Sequence, residues 1–109
     1  MLSMITVNER EQAFEDKYRN DQETLFKVHT RAVRGLGFWA AEKLGLTGDD
    51  AISYAETVVA ADFSEPGLED VYRKLLKDFN NRALSIDKTE MESVYQQSLM
   101  DEKMVILKG

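Results

Sequence analysis

A chain of 109 residues, 43% hydrophobic and 31% charged, is expected to form one globular domain around a single core rather than a wholly disordered polymer. The absence of cysteine excludes disulfides, thiolate metal sites and a cysteine nucleophile. A net charge of −6 argues against a protein that tracks nucleic-acid phosphates, and no apolar run approaches the roughly 18 residues of a membrane span.

One proline and six glycines suit a helical chain better than an all-β one rich in turns. The stretch Met1-Leu2-Ser3-Met4-Ile5 lacks the basic region and long apolar core of a signal peptide, so a cytoplasmic location is expected.

From Asn8 to Glu23 charge dominates, and the apolar groups Ala13, Phe14 and Tyr18 make only a thin helical stripe. Pairs such as Glu15–Arg19 and Lys17–Asp21 each favour a helix by ~0.2–0.5 kcal/mol, and Glu11–Glu15 opposes it by as much. Such a stripe, without a strong cap, does not hold a helix unless something covers it. The segment is therefore expected to be frayed or disordered in the free protein.

From Gln22 the pattern thickens. Leu25, Phe26, Val28, His29, Ala32, Val33, Leu36, Trp39, Ala40 and Leu44 outline the first stable helix, which Gly45 ends as the usual left-handed residue. Trp39, amid small Gly37, Ala40 and Ala41, is expected to be the centre on which the other helices assemble. Gly35 and Gly37 each cost ~1 kcal/mol relative to Ala inside a helix, which points to close packing or a weak point.

Thr47 as N-cap and Asp50 three residues on predict the next helix, with Ile52, Ala55, Val58, Val59 and Phe63 on one face. Pro66 is expected in the first turn of a third helix carrying Leu68, Val71, Tyr72, Leu75, Leu76 and Phe79 and ending near Asn80-Asn81. Asp87 with Glu90 predicts the cap of a last helix with Met91, Val94, Tyr95, Leu99, Val105 and Ile106. The expected fold is all-α: a small four-helix bundle over residues 21–109, preceded by a flexible, conditionally helical segment over residues 1–20.

Little in the chain suggests catalysis. His29 is the only histidine and has no ligand-spaced partner, so a solvated or half-buried helix histidine is its simplest role. The carboxylates are explained by caps and solvated faces, and no phosphate loop, nucleophile elbow or calcium loop is present. Lys27, Arg31 and Arg34 form a basic stripe at i, i+4, i+7, read either as a solvated face or as a weak anion or nucleotide-phosphate contact. The Asn8–Tyr18 segment is either a polar terminus or a helix whose two aromatics fold into a partner's groove.

The blocks Glu9-Arg10-Glu11-Gln12-Ala13-Phe14-Glu15-Asp16-Lys17-Tyr18, Leu25-Phe26-Lys27, Trp39-Ala40-Ala41-Glu42, Ala61-Asp62-Phe63-Ser64-Glu65-Pro66-Gly67 and Glu69-Asp70-Val71 resemble the ATPase inhibitor zeta-subunit family of α-proteobacteria, formerly catalogued as a domain of unknown function. The resemblance runs in order from about Asn8 and is weak after Arg82. It implies a four-helix bundle and a soluble, non-enzymatic regulator of the F1 part of ATP synthase. It further implies that the N-terminal segment enters a catalytic α/β interface of F1, reaches the γ stalk and blocks rotation in the hydrolytic direction.

Matched to that segment, Glu9, Arg10, Ala13, Phe14, Lys17 and Tyr18 fall on the inhibitory helix, with Phe14 and Tyr18 as apolar anchors. The partners so implied are the F1 α, β and γ subunits, with no nucleic acid and no direct membrane insertion. The location so implied is cytoplasmic, peripheral to the inner membrane through F1. No cofactor is expected. Two alternatives stand beside this: an adenine-nucleotide sensor binding ADP or ATP weakly at Lys27, Arg31 and Arg34, and a helical adaptor for another partner. Val33, Gly35 and an added Met1–Thr6 stretch depart from the family pattern.

Overall fold

The computed structural model describes residues 7–63 and 67–108. Among them are five helices and no strand: α1 (Val7–Tyr18), α2 (Gln22–Lys43), α3 (Gly48–Asp62), α4 (Glu69–Asn81) and α5 (Lys88–Lys108). The last four follow the helices expected from the sequence. Pro66 and the Met1–Thr6 stretch lie outside the described residues.

The element on which the others pack is α2, about 33 Å long at 1.5 Å per residue. It buries Val28, Ala32, Val33, Leu36, Ala40 and Ala41, with α3 against one side and α5 against the other. The approach to α3 is close at Gly37, where a methyl group would stand 2.9 Å from the Ala55 Cα. Of the two expectations for this glycine, close packing is the one realised.

At its C-terminus α2 ends as expected. Gly45 takes φ +80°, the Gly45 N–H donates to the Glu42 carbonyl at 3.0 Å, and the Leu46 N–H reaches back to Ala41 at 2.9 Å. These two bonds satisfy carbonyls that the helix leaves open.

The centre of the core is not Trp39. The large side chains fully removed from solvent include Leu36, Leu75, Phe79 and Met91, and Trp39 packs on this cluster only partly buried. Its ring meets Phe79 edge-on at 5.8 Å, where α4 supplies Val71, Tyr72, Leu75 and Phe79 from one strongly amphipathic face. The small residues beside Trp39 bring backbones together and leave the indole at the rim.

One cap differs in detail from the sequence reading. Thr47 occupies the N-cap of α3 in extended geometry, but its side chain makes no capping hydrogen bond. Helix α4 ends at Asn81 as expected, and the left-handed residue that follows is Ala83 (φ 57°), where the Leu84 N–H donates to the Phe79 carbonyl at 2.9 Å. At α5 the expectation holds, since Asp87 Oδ1 accepts from the Glu90 N–H at 2.9 Å.

The N-terminal segment adds a fifth helix to the four expected. It forms α1, lying mainly along α5, and Phe14 is completely buried. The C-terminal half of α5 covers the thin stripe from within the same chain.

Candidate functional site

The six residues assigned to a partner-binding helix divide between two faces of α1. Phe14 is fully buried, Tyr18 and Arg10 are half-buried, and Glu9, Ala13 and Lys17 are exposed. Phe14 and Tyr18, one turn apart, hold their rings 4.8 Å apart at a tilt of 38°. The Tyr18 hydroxyl donates to the Ile106 carbonyl of α5 at 3.4 Å. The Lys17 ammonium lies 5.3 Å from the Tyr18 ring centre on the outer side.

Two residues absent from the sequence assignment complete this contact. Lys103 of α5 is only 8% exposed, and its ammonium stands 5.3 Å from the Phe14 ring centre and 3.4 Å from Glu11 Oε1. A lysine buried to this degree needs a partner for its charge, and Glu11 with the π-face of Phe14 supplies it. The Arg10 Nε is buried with no hydrogen-bond partner. The sequence carries little signal for Lys103, which follows Asp101-Glu102 and stands before the apolar run Met104-Val105-Ile106-Leu107.

Between α1 and α2 the chain turns through Arg19 and Asn20, closed by the Asp21 N–H donating to the Tyr18 carbonyl at 2.9 Å. Asp21 then caps α2, accepting from the Thr24 N–H at 3.0 Å and from the Thr24 hydroxyl at 2.8 Å. These bonds to Thr24, the backbone one foremost, hold the Asp21 carboxyl below its ordinary range. The capping bonds lie wholly within Asp21–Thr24, and the Asp21 bond to Tyr18 ties that cap to the end of α1.

The basic stripe is present on α2, but each cation already faces a carboxylate. Lys27 lies 3.7 Å from Glu23, Arg31 4.0 Å from Glu102 and Arg34 2.7 Å from Glu56. Two hollows share Lys27 and Arg31. One, about 420 Å³, is closed by Tyr18, Thr24, Val105 and Ile106. The other, about 190 Å³, is lined by Phe26, Thr30 and Arg34, and the Thr30 hydroxyl is buried without a hydrogen-bond partner. Phe26 stacks on Phe63 at 6.0 Å, and both rings are more than half exposed. An anion could enter either hollow only in competition with the resident carboxylates.

His29 is half-buried and bound at both ring nitrogens. Its Nε2 lies 2.8 Å from Asp62 Oδ2 and its Nδ1 2.8 Å from the Tyr95 hydroxyl. A carboxylate only accepts, so Nε2–H donates to Asp62, and Nδ1 of the neutral ring accepts from Tyr95. Burial, reinforced by the Asp62 charge, pushes the Tyr95 phenol up to about 12. The trio ties α2, α3 and α5 together. Among the described residues no group of three His, Asp or Glu side chains could hold a metal ion.

A family model for ATPase inhibitor subunit zeta matches residues 4–104. The chain belongs to that family. A comparison with curated proteins gives no match. The zeta-family match spans α1 to α4 and most of α5, including Glu11, Phe14, Tyr18 and Lys103. It places the chain among ATPase inhibitor subunits, a regulatory family with an ATP synthase as partner. No described helix is long and apolar enough to cross a membrane.

Proposed function

We propose that this protein is a non-catalytic regulator that restrains ATP hydrolysis by F1, and that α1 is the segment that engages the enzyme. In this proposal α1 enters a catalytic α/β interface and reaches the γ stalk, with Phe14 and Tyr18 as anchors. Glu9, Arg10, Ala13 and Lys17 set register around them. The observation that carries the proposal is that α1 is a twelve-residue helix with two aromatics one turn apart, joined by a short turn to a helix whose capping bonds lie outside it.

A helix of this length is marginal alone in water, so its structure comes from whatever covers its aromatic face, α5 or a partner. Removing residues 1–19 and assaying ATP hydrolysis by the cognate F1 tests the proposal. Loss of inhibition is expected, and a truncated protein that inhibits as well as the full chain refutes the role of α1.

A second reading is a nucleotide-responsive module. It is favoured by the two hollows that share Lys27 and Arg31 and by the unpartnered Thr30 hydroxyl beside Arg34 and an exposed Phe26 ring. The carboxylate beside each cation weighs against tight binding of ADP or ATP. Saturable amide shifts at Lys27, Arg31 and Arg34 on titration with nucleotide would support it, and their absence would remove the stripe. If F1 subunits are missing from a pull-down, the reading left is an adaptor for some other partner.

A further inference from the structure

We infer that the docking of α1 on α5 is an autoinhibitory clasp: the same face of α1 serves α5 in the free protein and the partner in the complex, so the clasp must open before α1 engages. This rests on the proposed role of α1 and adds the regulation of that site. Phe14 is 0% exposed and the Tyr18 hydroxyl is bonded to Ile106, so neither anchor is available to a partner while α1 lies on α5.

Four features make the clasp reversible rather than a permanent part of the core. The first is length, since twelve residues do not hold a helix without tertiary support. The second is the cap. The bonds from Thr24 to Asp21 keep the start of α2 intact when α1 departs, so opening need not propagate into the bundle.

The third is Lys103. At the centre of the contact α5 presents an ammonium where an apolar side chain would bind Phe14 more simply. Docking strips water from that charge and leaves it to Glu11 and an aromatic face, and opening returns it to water. The opened α5 therefore exposes a cation at this position instead of an apolar side chain. The fourth is Arg10, whose Nε is buried and unbonded in the docked state and is hydrated on release. The first two features let α1 leave without unfolding the rest, and the last two weaken the docked state relative to the open one, while Phe14 holds it shut.

If α1 binds its partner only when open, the apparent affinity equals the intrinsic affinity multiplied by the open fraction. Changes on α5 alone should therefore tune inhibition without touching any residue that meets the partner. The test uses the full chain with Lys103→Glu, which sets two carboxylates against each other, and Lys103→Met, which keeps the stem and removes only the charge. Hydrogen exchange of the α1 amides reports opening, Trp39 fluorescence reports an intact bundle, and hydrolysis by cognate F1 reports inhibition.

The α1 amides of the unaltered protein should be protected. Lys103→Glu should speed their exchange about tenfold, the size expected when a partly buried pair becomes a repulsion. It should lower the concentration for half-inhibition by a similar factor, whereas Lys103→Met, which sets an apolar side chain against Phe14, should slow exchange and raise that concentration. Conversely, Glu11→Cys with Lys103→Cys, joined by a cleavable bismaleimide, should hold α1 down and weaken inhibition at least tenfold until the linker is cut. The chain has no other cysteine.

The clasp is refuted if α1 exchanges as fast as an unstructured peptide. It is equally refuted if Lys103→Glu frees α1 without changing half-inhibition, or if the linked protein inhibits undiminished. If no form inhibits F1, even with α1 shown by exchange to be free, then the proposed target fails and the regulatory role of the clasp falls with it.

Discussion

The Tyr54 hydroxyl of α3 donates to the Asp78 carboxylate of α4 at 2.6 Å, and the Lys74 ammonium reaches the same oxygen at 2.9 Å. Burial works to raise the Asp78 carboxyl. The hydrogen bonds from Tyr54 and Lys74, with the charges of Lys74 and Lys77, outweigh it and hold the group below its ordinary value. A carboxyl depressed in the fold adds stability above its unfolded pKa of about 3.9, and that stability drains away as pH falls through the folded value. Tyr54 shifts the other way, raised by burial and then by its bond to Asp78, so its contribution is lost as pH rises past about 10. Tyr54→Phe should cost about 1–2 kcal/mol near neutrality. Denaturant melts from pH 2 to 11 should show its deficit shrinking at both ends, and a pH-independent deficit would contradict this assignment.

Gly35 and Gly37 lie two positions apart on nearly opposite faces of α2, the first against α5 and the second against α3, and should respond in opposite directions to alanine. Both substitutions gain about 1 kcal/mol of helix propensity. At Gly37 the new methyl would stand 2.9 Å from the Ala55 backbone and 3.2 Å from the Val58 Cβ, so α2 and α3 must separate at a cost of about 1–3 kcal/mol. At Gly35 the only close obstacle is the Ser98 hydroxyl, which can rotate away. Gly37→Ala should lower the melting temperature and Gly35→Ala should leave it unchanged or raise it. Equal shifts would show that the α2–α3 approach is looser than these distances indicate.

Most of the bundle was legible in the sequence because its signals are local. Gly45 after the last apolar residue of α2, Asp87 before Glu90, and the apolar face from Val71 to Phe79 each act within a turn or two of chain. What was not legible depends on partners far away in sequence. Glu11 meets Lys103 across 92 positions and His29 meets Tyr95 across 66, and no periodicity specifies either pair. Trp39 was misplaced for a related reason. Its size and small neighbours mark a crowded face, but whether the ring lies at the centre or rim depends on where α4 brings Phe79. For α1 the sequence stated a requirement, a cover for Phe14 and Tyr18, without saying that α5 meets it.

Ala83 is the clearest site for stabilisation. It follows α4 at φ 57°, with its N–H donating to the Asn80 carbonyl at 3.0 Å, a position that glycine usually fills. The alanine Cβ crowds the following carbonyl in this conformation at a cost of about 1–2 kcal/mol. Glycine removes that strain but adds freedom to the unfolded chain. The balance predicts that Ala83→Gly stabilises by about 0.5–1 kcal/mol, visible as a melting temperature several degrees higher. A loss of stability would mean that the Ala83 methyl contributes packing that outweighs its backbone strain.

His29 provides the last test, because its role is decided by what its removal leaves behind. The Asp62 side chain is 7% exposed, and the Nε2–H of His29 is its hydrogen-bond donor across 2.8 Å. Replacing His29 with leucine fills similar space but leaves a nearly buried carboxylate without that donor, a change that costs about 3 kcal/mol or more when a buried charge loses its partner. Adding Asp62→Asn removes the charge and should recover a large part of the loss, giving a coupling of at least ~1 kcal/mol in a double-mutant cycle. Tyr95→Phe should be milder near neutrality. Its phenol is raised to about 12, so it favours the fold below its unfolded pKa of about 10 and loses that effect as pH rises toward 12. The Phe variant should therefore lack this alkaline loss. If His29→Leu and Asp62→Asn prove simply additive, the two side chains are neighbours without energetic linkage, and the junction of α2 with α3 rests on apolar packing alone.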